Sequence, residues 1–330
     1  MVRPATGGIL RVMVTPRSSR SRSPFRVAAS VALTIGLGAG AALAIASLDG
    51  RPGAPVPEVT WKRLEFQASK LLVKARAHVE LTQHDSAAVQ GRLLERVADH
   101  PLPPRGSRVL AIEVGSSFLG RHSTTSLFLD PTDNSALQRE QVETGKRQRV
   151  KLYRFCADGV YSRRVTPRDD AEKALAPAGW TKMLEEHLDY AAGKAVSDPA
   201  ALFYLLSIAE PKAYLDGQTV QLFSQGEVHA VEVRFAGEEE LAVSYEIHSS
   251  PEPSMGDTAA PGTERVDQRV RALRYTLHPA DPTDALELLG LEGDLEIWIE
   301  TERRIPVLVT GRVSPVGRVA VKLQHAWRAR

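Results

Sequence analysis

The chain has 330 residues, 43% of them hydrophobic and 25% charged, an ordinary globular mixture with room for a sizeable core. Its formal net charge of +2 conceals arginines clustered near the N-terminus and mid-chain, with acids dominating afterwards, so the total is silent about partners. Cys156 is the only cysteine, which excludes an intrachain disulfide, a thiolate metal cluster and a CxxC redox pair.

Residues 1–26 form a basic arm in which Arg11, Arg17, Arg20, Arg22 and Arg26 precede the uncharged run VAASVALTIGLGAGAALAIASL, Val27 to Leu48. Spanning a bilayer takes about 20 helical residues, whereas a secretory apolar core has ~7–15. Length therefore favours an uncleaved membrane helix. Ala42-Leu43-Ala44 and Ala44-Ile45-Ala46, followed by Pro52, fit a cleaved signal instead. No cysteine lies near those sites, so a lipoprotein is excluded. Arginine flanks stay cytoplasmic, which predicts a single-pass inner-membrane protein with its C-terminal domain outside the cytoplasm, or, if cleaved, a periplasmic or secreted one. Met13 is an alternative start. Gly36 to Gly40 lacks the preceding strand and Lys-Ser/Thr pair of a phosphate loop, whereas Ala32, Gly36 and Gly40 suit close helix approach in a bilayer.

DGRPGAPVPE, within the segment 49–60, reads as a linker, and the folded domain is expected over 61–330. Val73, Ala75, Ala77, Val79 and Leu81 alternate with Lys74, Arg76, His78 and Glu80, the pattern of a strand with one wet face. Leu110, Ile112 and Val114 alternate up to a bend over Gly115 to Gly120, and Thr125, Leu127 and Leu129 follow. Turn signals at Glu143 to Lys146 and Ala157 to Gly159 separate Ala136 to Val142, Arg147 to Phe155 and Val160 to Thr166, a three-strand meander. Trp180, Met183, Leu184, His187 and Leu188 show helical spacing. Asp198-Pro199 reads as N-cap and first residue of a helix to Ala209. Both helices are expected to cover an opening or edge of the sheet. Strands return at Thr219 to Phe223, Val228 to Phe235 and Leu241 to His248, with Gly237 joining the last two. The stretch 249–264 is a Pro/Ser/Gly-rich loop. Arg265 to Leu277, Leu295 to Glu300, Ile305 to Thr310 and Arg318 to Trp327 complete the set. The expected fold is mainly β, an antiparallel curved sheet or incomplete barrel with one or two short covering helices and an N-terminal membrane helix.

Nine Lys/Arg residues lie between Arg139 and Arg168 against three acids. Arg147, Arg149 and Lys151 share strand parity beside Tyr153, a face suited to an anionic lipid headgroup, a glycan phosphate or an acidic envelope protein. The competing reading pairs these cations with acids elsewhere, and 227–302 supplies eighteen Asp/Glu against five Arg. Export removes nucleic acid as a partner. The nine histidines form no HxH, HxxxH or HExxH motif, and neither metal nor cofactor is expected. Ser116-Ser117 lacks a GxSxG elbow, Glu185-Glu186-His187 reads as a helix surface, and Asp281 and Asp284 read as helix caps, so no catalytic group stands out. If the sheet encloses an apolar concavity, Trp298, Trp327, Phe128, Phe155 and Phe235 are its candidate linings, with Trp298 the aromatic ligand contact.

Three stretches carry a family resemblance: GDLEIWIETERRIPVLVTGRV with GRVAVKLQHAW, the hairpins LQREQVETGKRQRVKLYRFCADGVYSRR before Pro167, and DPAALFYLL. Over about residues 61–330 they resemble the exported bacterial domain-of-unknown-function family 3108. Ile297-Trp298-Ile299 with Arg304-Ile305-Pro306-Val307 is the sharpest motif, and the Pro-rich loop 249–264 departs from the pattern. The resemblance implies an envelope-located β-protein without an established catalytic residue. Sequence thus favours a binding domain for a lipid, glycan or partner protein, with a cell-envelope hydrolase or an assembly factor as alternatives.

Overall fold

The computed structural model describes residues 58–70, 73–94, 100–118, 120–190, 195–249, 262–281 and 286–329. The basic arm, the run from Val27 to Leu48 and most of the loop 249–264 lie outside the described residues. Among the described residues no helix is long and apolar enough to cross a membrane.

Alternating polarity becomes strand throughout the first half: β1 Trp61–Lys70, β2 Val73–Asp85, β3 Arg108–Phe118, β4 Arg121–Asp130, β5 Ser135–Gly145, β6 Arg149–Phe155 and β7 Gly159–Thr166. β8 is Lys182–Asp189, β9 Val196–Ser197, β10 Gln218–Ser224 and β11 Glu227–His248. β12 Thr263–Pro279, β13 Glu287–Leu288, β14 Leu291–Glu300, β15 Pro306–Val313 and β16 Gly317–Arg328 follow. The helices are short: α1 Ser86–Gln90, α2 Asp170–Lys173 and α3 Leu202–Ile208.

β1 to β8 pair consecutively as an antiparallel meander, and β1 also pairs with β16, so the first and last strands lie side by side. From β16 the order continues through β15, β14, β12, β11 and β10 to β9, with β13 paired to β14. The sheet is mixed rather than antiparallel. β9 pairs in parallel with β10, and the far end of the 22-residue β11 pairs in parallel with β16. That length is itself a correction, because Gly237 does not separate two strands. It sits in a bulge at φ +124°, where the register against β12 shifts and the strand continues.

The two arms of the sheet face each other across one core. Phe223 of β10 meets Tyr153 and Phe155 of β6 edge-on at 4.8 and 5.5 Å. The helix after Asp198 forms as expected: the Asp198 carboxylate accepts from the Ala200 amide, and a 3₁₀ turn over Pro199–Ala201 leads into α3. It does not cover an edge, however. Leu202 to Ser207 are buried on every face, and Phe203 lies 5.8 Å from Phe66, so α3 belongs to the core.

The helical reading of Trp180 to Leu188 fails. β8 pairs with β7 in unbroken register from Gly159↔Asp189 to Thr166↔Lys182, leaving Met183 and Leu184 exposed. Four apolar residues over nine positions cannot stabilise an isolated helix, whereas the unpaired edge of β7 offers a full ladder of partners. His187 accordingly lies on a strand, 3.3 Å from Asp189. The bend expected over Gly115 to Gly120 is confined to its far end, since β3 runs to Phe118 and pairs back with β4 from Arg121, with Gly120 at φ +74° between them. Asp284 lies outside the described residues, and the segment it was expected to cap includes β13, a strand.

Candidate functional site

Strand register identifies an unusual face. One row of neighbours on the core side reads Leu64, Val79, Val114, Thr125, Gln141, Lys151, and the next reads Phe66, Ala77, Ser116, Ser123, Glu143, Arg149. Both begin apolar at β1 and become polar or charged by β4 to β6. A third row takes Ile112 and Leu127 to Arg139 and Tyr153. Burying such groups is costly unless they are paired or serve a ligand.

The ends of these rows on β3 to β6, from Val114 and Ser116 to Lys151, Arg149 and Tyr153, line a cavity of about 560 Å³. Its opposite wall comes from Asp198 to Ala200, Ser224-Gln225, Glu287 to Gly290, Glu292 and Val313-Ser314. Arg149 Nη2 lies 2.6 Å from Glu143 Oε1, and Arg139 Nη1 lies 3.2 Å from the buried Asp198 Oδ2. The Arg139 guanidinium also sits over the Tyr153 ring, 5.8 Å from its centroid. Gln141 donates from Nε2 to Ser123 Oγ at 3.2 Å. These contacts fix much of the polar wall in one arrangement.

Burial pushes the Asp198 carboxyl up, against the opposing pull of Arg139. Glu287 is pushed up first by burial and then by Glu292, and it accepts a hydrogen bond from Gln225. Lys151 is held down at about 8 by burial and then by the charge of Arg149, with Glu143 opposing. Neither Lys151 nor the exposed Arg147 has a hydrogen-bond or ion-pair partner among the described residues. Five cationic side chains face four carboxylates around the cavity, so it is a mixed surface with a small positive excess.

Four of the five expected contacts, Arg147, Arg149, Lys151 and Tyr153, line this one cavity. Trp298 does not. It is buried opposite Arg274 and Leu308, and its indole N–H has no hydrogen-bond partner among the described residues. Phe155 lies in the main core, and Phe235 packs 5.8 Å from Tyr275. Phe128 belongs to a separate small cluster with Val89, Leu93, Val109 and Leu137, and Trp327 stacks on His248. Sequence reasoning missed Gln141, Asp198 and Glu287 as wall residues. Gln141 was legible from parity with Glu143 and Arg139, whereas the other two required the tertiary fold.

An apolar slot of about 60 Å³, lined by Ala68, Ala77, Leu291, Val319 and Val321, adjoins the cavity at Ser116, Phe118 and Leu289. It has room for a few waters and is too small for an acyl chain. No family model, curated protein or solved structure matches the chain.

Proposed function

We propose that the chain is a binding protein whose β-domain, an incomplete barrel, takes a polyhydroxylated ligand with an anionic group, of the acidic-glycan class. The observation that carries this reading is the inward-facing polar wall, with Lys151 and Arg147 above it lacking a hydrogen-bond or ion-pair partner among the described residues. Paired arginines and carboxylates present fixed donors and acceptors to hydroxyl groups, and the three remaining cations, Arg121, Arg147 and Lys151, suit one carboxylate or phosphate. The small apolar slot favours a glycan over a lipid tail. The arginine-flanked run from Val27 to Leu48 supports placement of this domain outside the cytoplasm, tethered or released, where such glycans occur. The resemblance to exported β-proteins agrees with that placement.

Titrating the full-length chain with a glucuronate-containing oligosaccharide, its neutral counterpart and anionic vesicles tests the reading. The acidic sugar is expected to raise the melting temperature, and Lys151→Met to remove most of that shift. No shift with either sugar sinks the proposal.

The same variant has a signature in stability. Lys151 falls from an ordinary 10.5 to about 8 in the folded chain. Between those values the unfolded chain binds more protons, so this group makes stability rise with pH, and below about 8 the cost of burying the charge is fully present. Lys151→Met is therefore expected to unfold at higher urea than the parent at pH 7. The gain should shrink from about pH 8 upward and vanish above 10.5.

A further inference from the structure

Away from the cavity, the parallel junction of β11 and β16 brings together three side chains with the chemistry of a metal site. Glu246 is opposite His325 in this register, and His248 is opposite Trp327. Residues two apart on a strand share a face, so Glu246 and His248 project beside His325 and Trp327. His248 Nε2 lies 3.2 Å from His325 Nδ1. Glu246 Oε2 lies 3.4 Å from the same His325 nitrogen and 3.9 Å from the same His248 nitrogen.

We propose that Glu246, His248 and His325 bind a divalent late-transition metal ion of the zinc class. Zinc bonds of ~2.0–2.1 Å at tetrahedral angles place ligand atoms about 3.3 Å apart, and the three separations here fall close to that edge length. Two imidazoles and a carboxylate suit zinc, nickel or copper and not magnesium, which prefers oxygen ligands. In the absence of an ion, two imidazole nitrogens at this distance must share a proton, with a carboxylate facing the same point.

The surroundings hold the ligands in place. Thr263 Oγ1 lies 3.4 Å from His248 Nδ1, a contact that directs the other ring nitrogen to the shared point. The Trp327 ring stacks on the His248 ring at 4.8 Å and 26°, restricting its rotation. The nearby Arg63, 5.3 Å from the centroid of Trp327, is matched by Glu65 at 2.8 Å. Glu246 and His325 side chains are 42% and 40% exposed, so an ion can enter from solvent. Three protein ligands leave a fourth position for water. His325 also lines a groove of about 610 Å³ with Glu65, His78, Ser117 and His122, so a molecule lying there adjoins the ion.

Equilibrium dialysis of the full-length chain against Zn²⁺, with Mg²⁺ as control, tests the site, and Co²⁺ substitution reports its geometry. The expected result is one zinc per chain beyond the content of His248→Gln/His325→Asn, together with a visible Co²⁺ spectrum of tetrahedral intensity that this double variant lacks. Each single variant should weaken Zn²⁺ binding about 100-fold or more, and Thr263→Val about 10-fold. Urea midpoints without metal establish that the variants fold, and Zn²⁺ should raise the midpoint of the parent alone. Equal zinc content in the parent and double variant, or a Co²⁺ spectrum unchanged by it, overturns the proposal.

Discussion

Arg303→Ala is expected to lower the unfolding free energy by about 3–5 kcal/mol, because it strands a buried charge. Glu300 at the end of β14 is only 1% exposed. Its Oε1 lies 2.6 Å from Arg303 Nη1, and its Oε2 accepts from the Tyr245 hydroxyl. Burial and that bond to Glu300 push the tyrosine hydroxyl far up, so it remains a donor. Arg303 Nη2 also reaches Glu264 Oε1 at 2.9 Å, and Arg328 holds the other oxygen of Glu264 at 2.6 Å. Without Arg303, Glu300 retains one neutral donor in a poorly solvated position. The double variant Arg303→Ala/Glu300→Gln keeps a partner for Tyr245 and removes the orphaned charge, so it should recover at least half of the loss. Urea unfolding at pH 7 measures both variants. A single-variant loss below about 1 kcal/mol would place this pair with ordinary surface bridges.

This network explains what the residue pattern around Trp298 encodes. The alternation of β14 and β15 was legible because each strand has one core face, and Asp198-Pro199 was legible because capping is local. The turn between β14 and β15, with Glu300 turned inward, was not, since a Glu-Thr-Glu-Arg-Arg stretch reads as solvated hairpin. Local pattern failed at β8 for a related reason: Met183, Leu184 and Leu188 have helical spacing, but the partner that decides the backbone is β7, outside any sequence window. On β6, parity correctly gathered Arg149, Lys151 and Tyr153 on one face. It could not say that this face points inward, because period-2 alternation gives the two sides of a strand and not which one meets the other arm. The His248–His325 pair, 77 residues apart, follows from the length of β11, a property hidden by reading Gly237 as a turn.

The second large effect is expected at Arg304, where the turn between β14 and β15 meets the end of α3. Arg304 Nε donates to Ser207 O at 2.9 Å, and Nη2 donates to Leu206 O and Ala209 O, so one guanidinium satisfies carbonyls at the C-terminal end of α3. The Ser207 hydroxyl also accepts from the Trp61 indole, tying the helix end to the first strand. Hydrogen bonds to a charged donor contribute about 1.5–3 kcal/mol each when buried acceptors depend on them, and they are not additive. Arg304→Ala should therefore cost about 2–4 kcal/mol, and Arg304→Lys should rescue little because an ammonium cannot span three carbonyls as a planar fork does. Arg304 also holds φ +56°, a left-handed conformation that penalises any side chain by roughly 1–2 kcal/mol. Arg304→Gly loses the same hydrogen bonds but relieves that strain, so it should be about 1 kcal/mol milder than Arg304→Ala. If the two variants unfold at the same urea concentration, the strain contributes nothing. If both match the parent, α3 is held by its apolar faces alone and the guanidinium is dispensable.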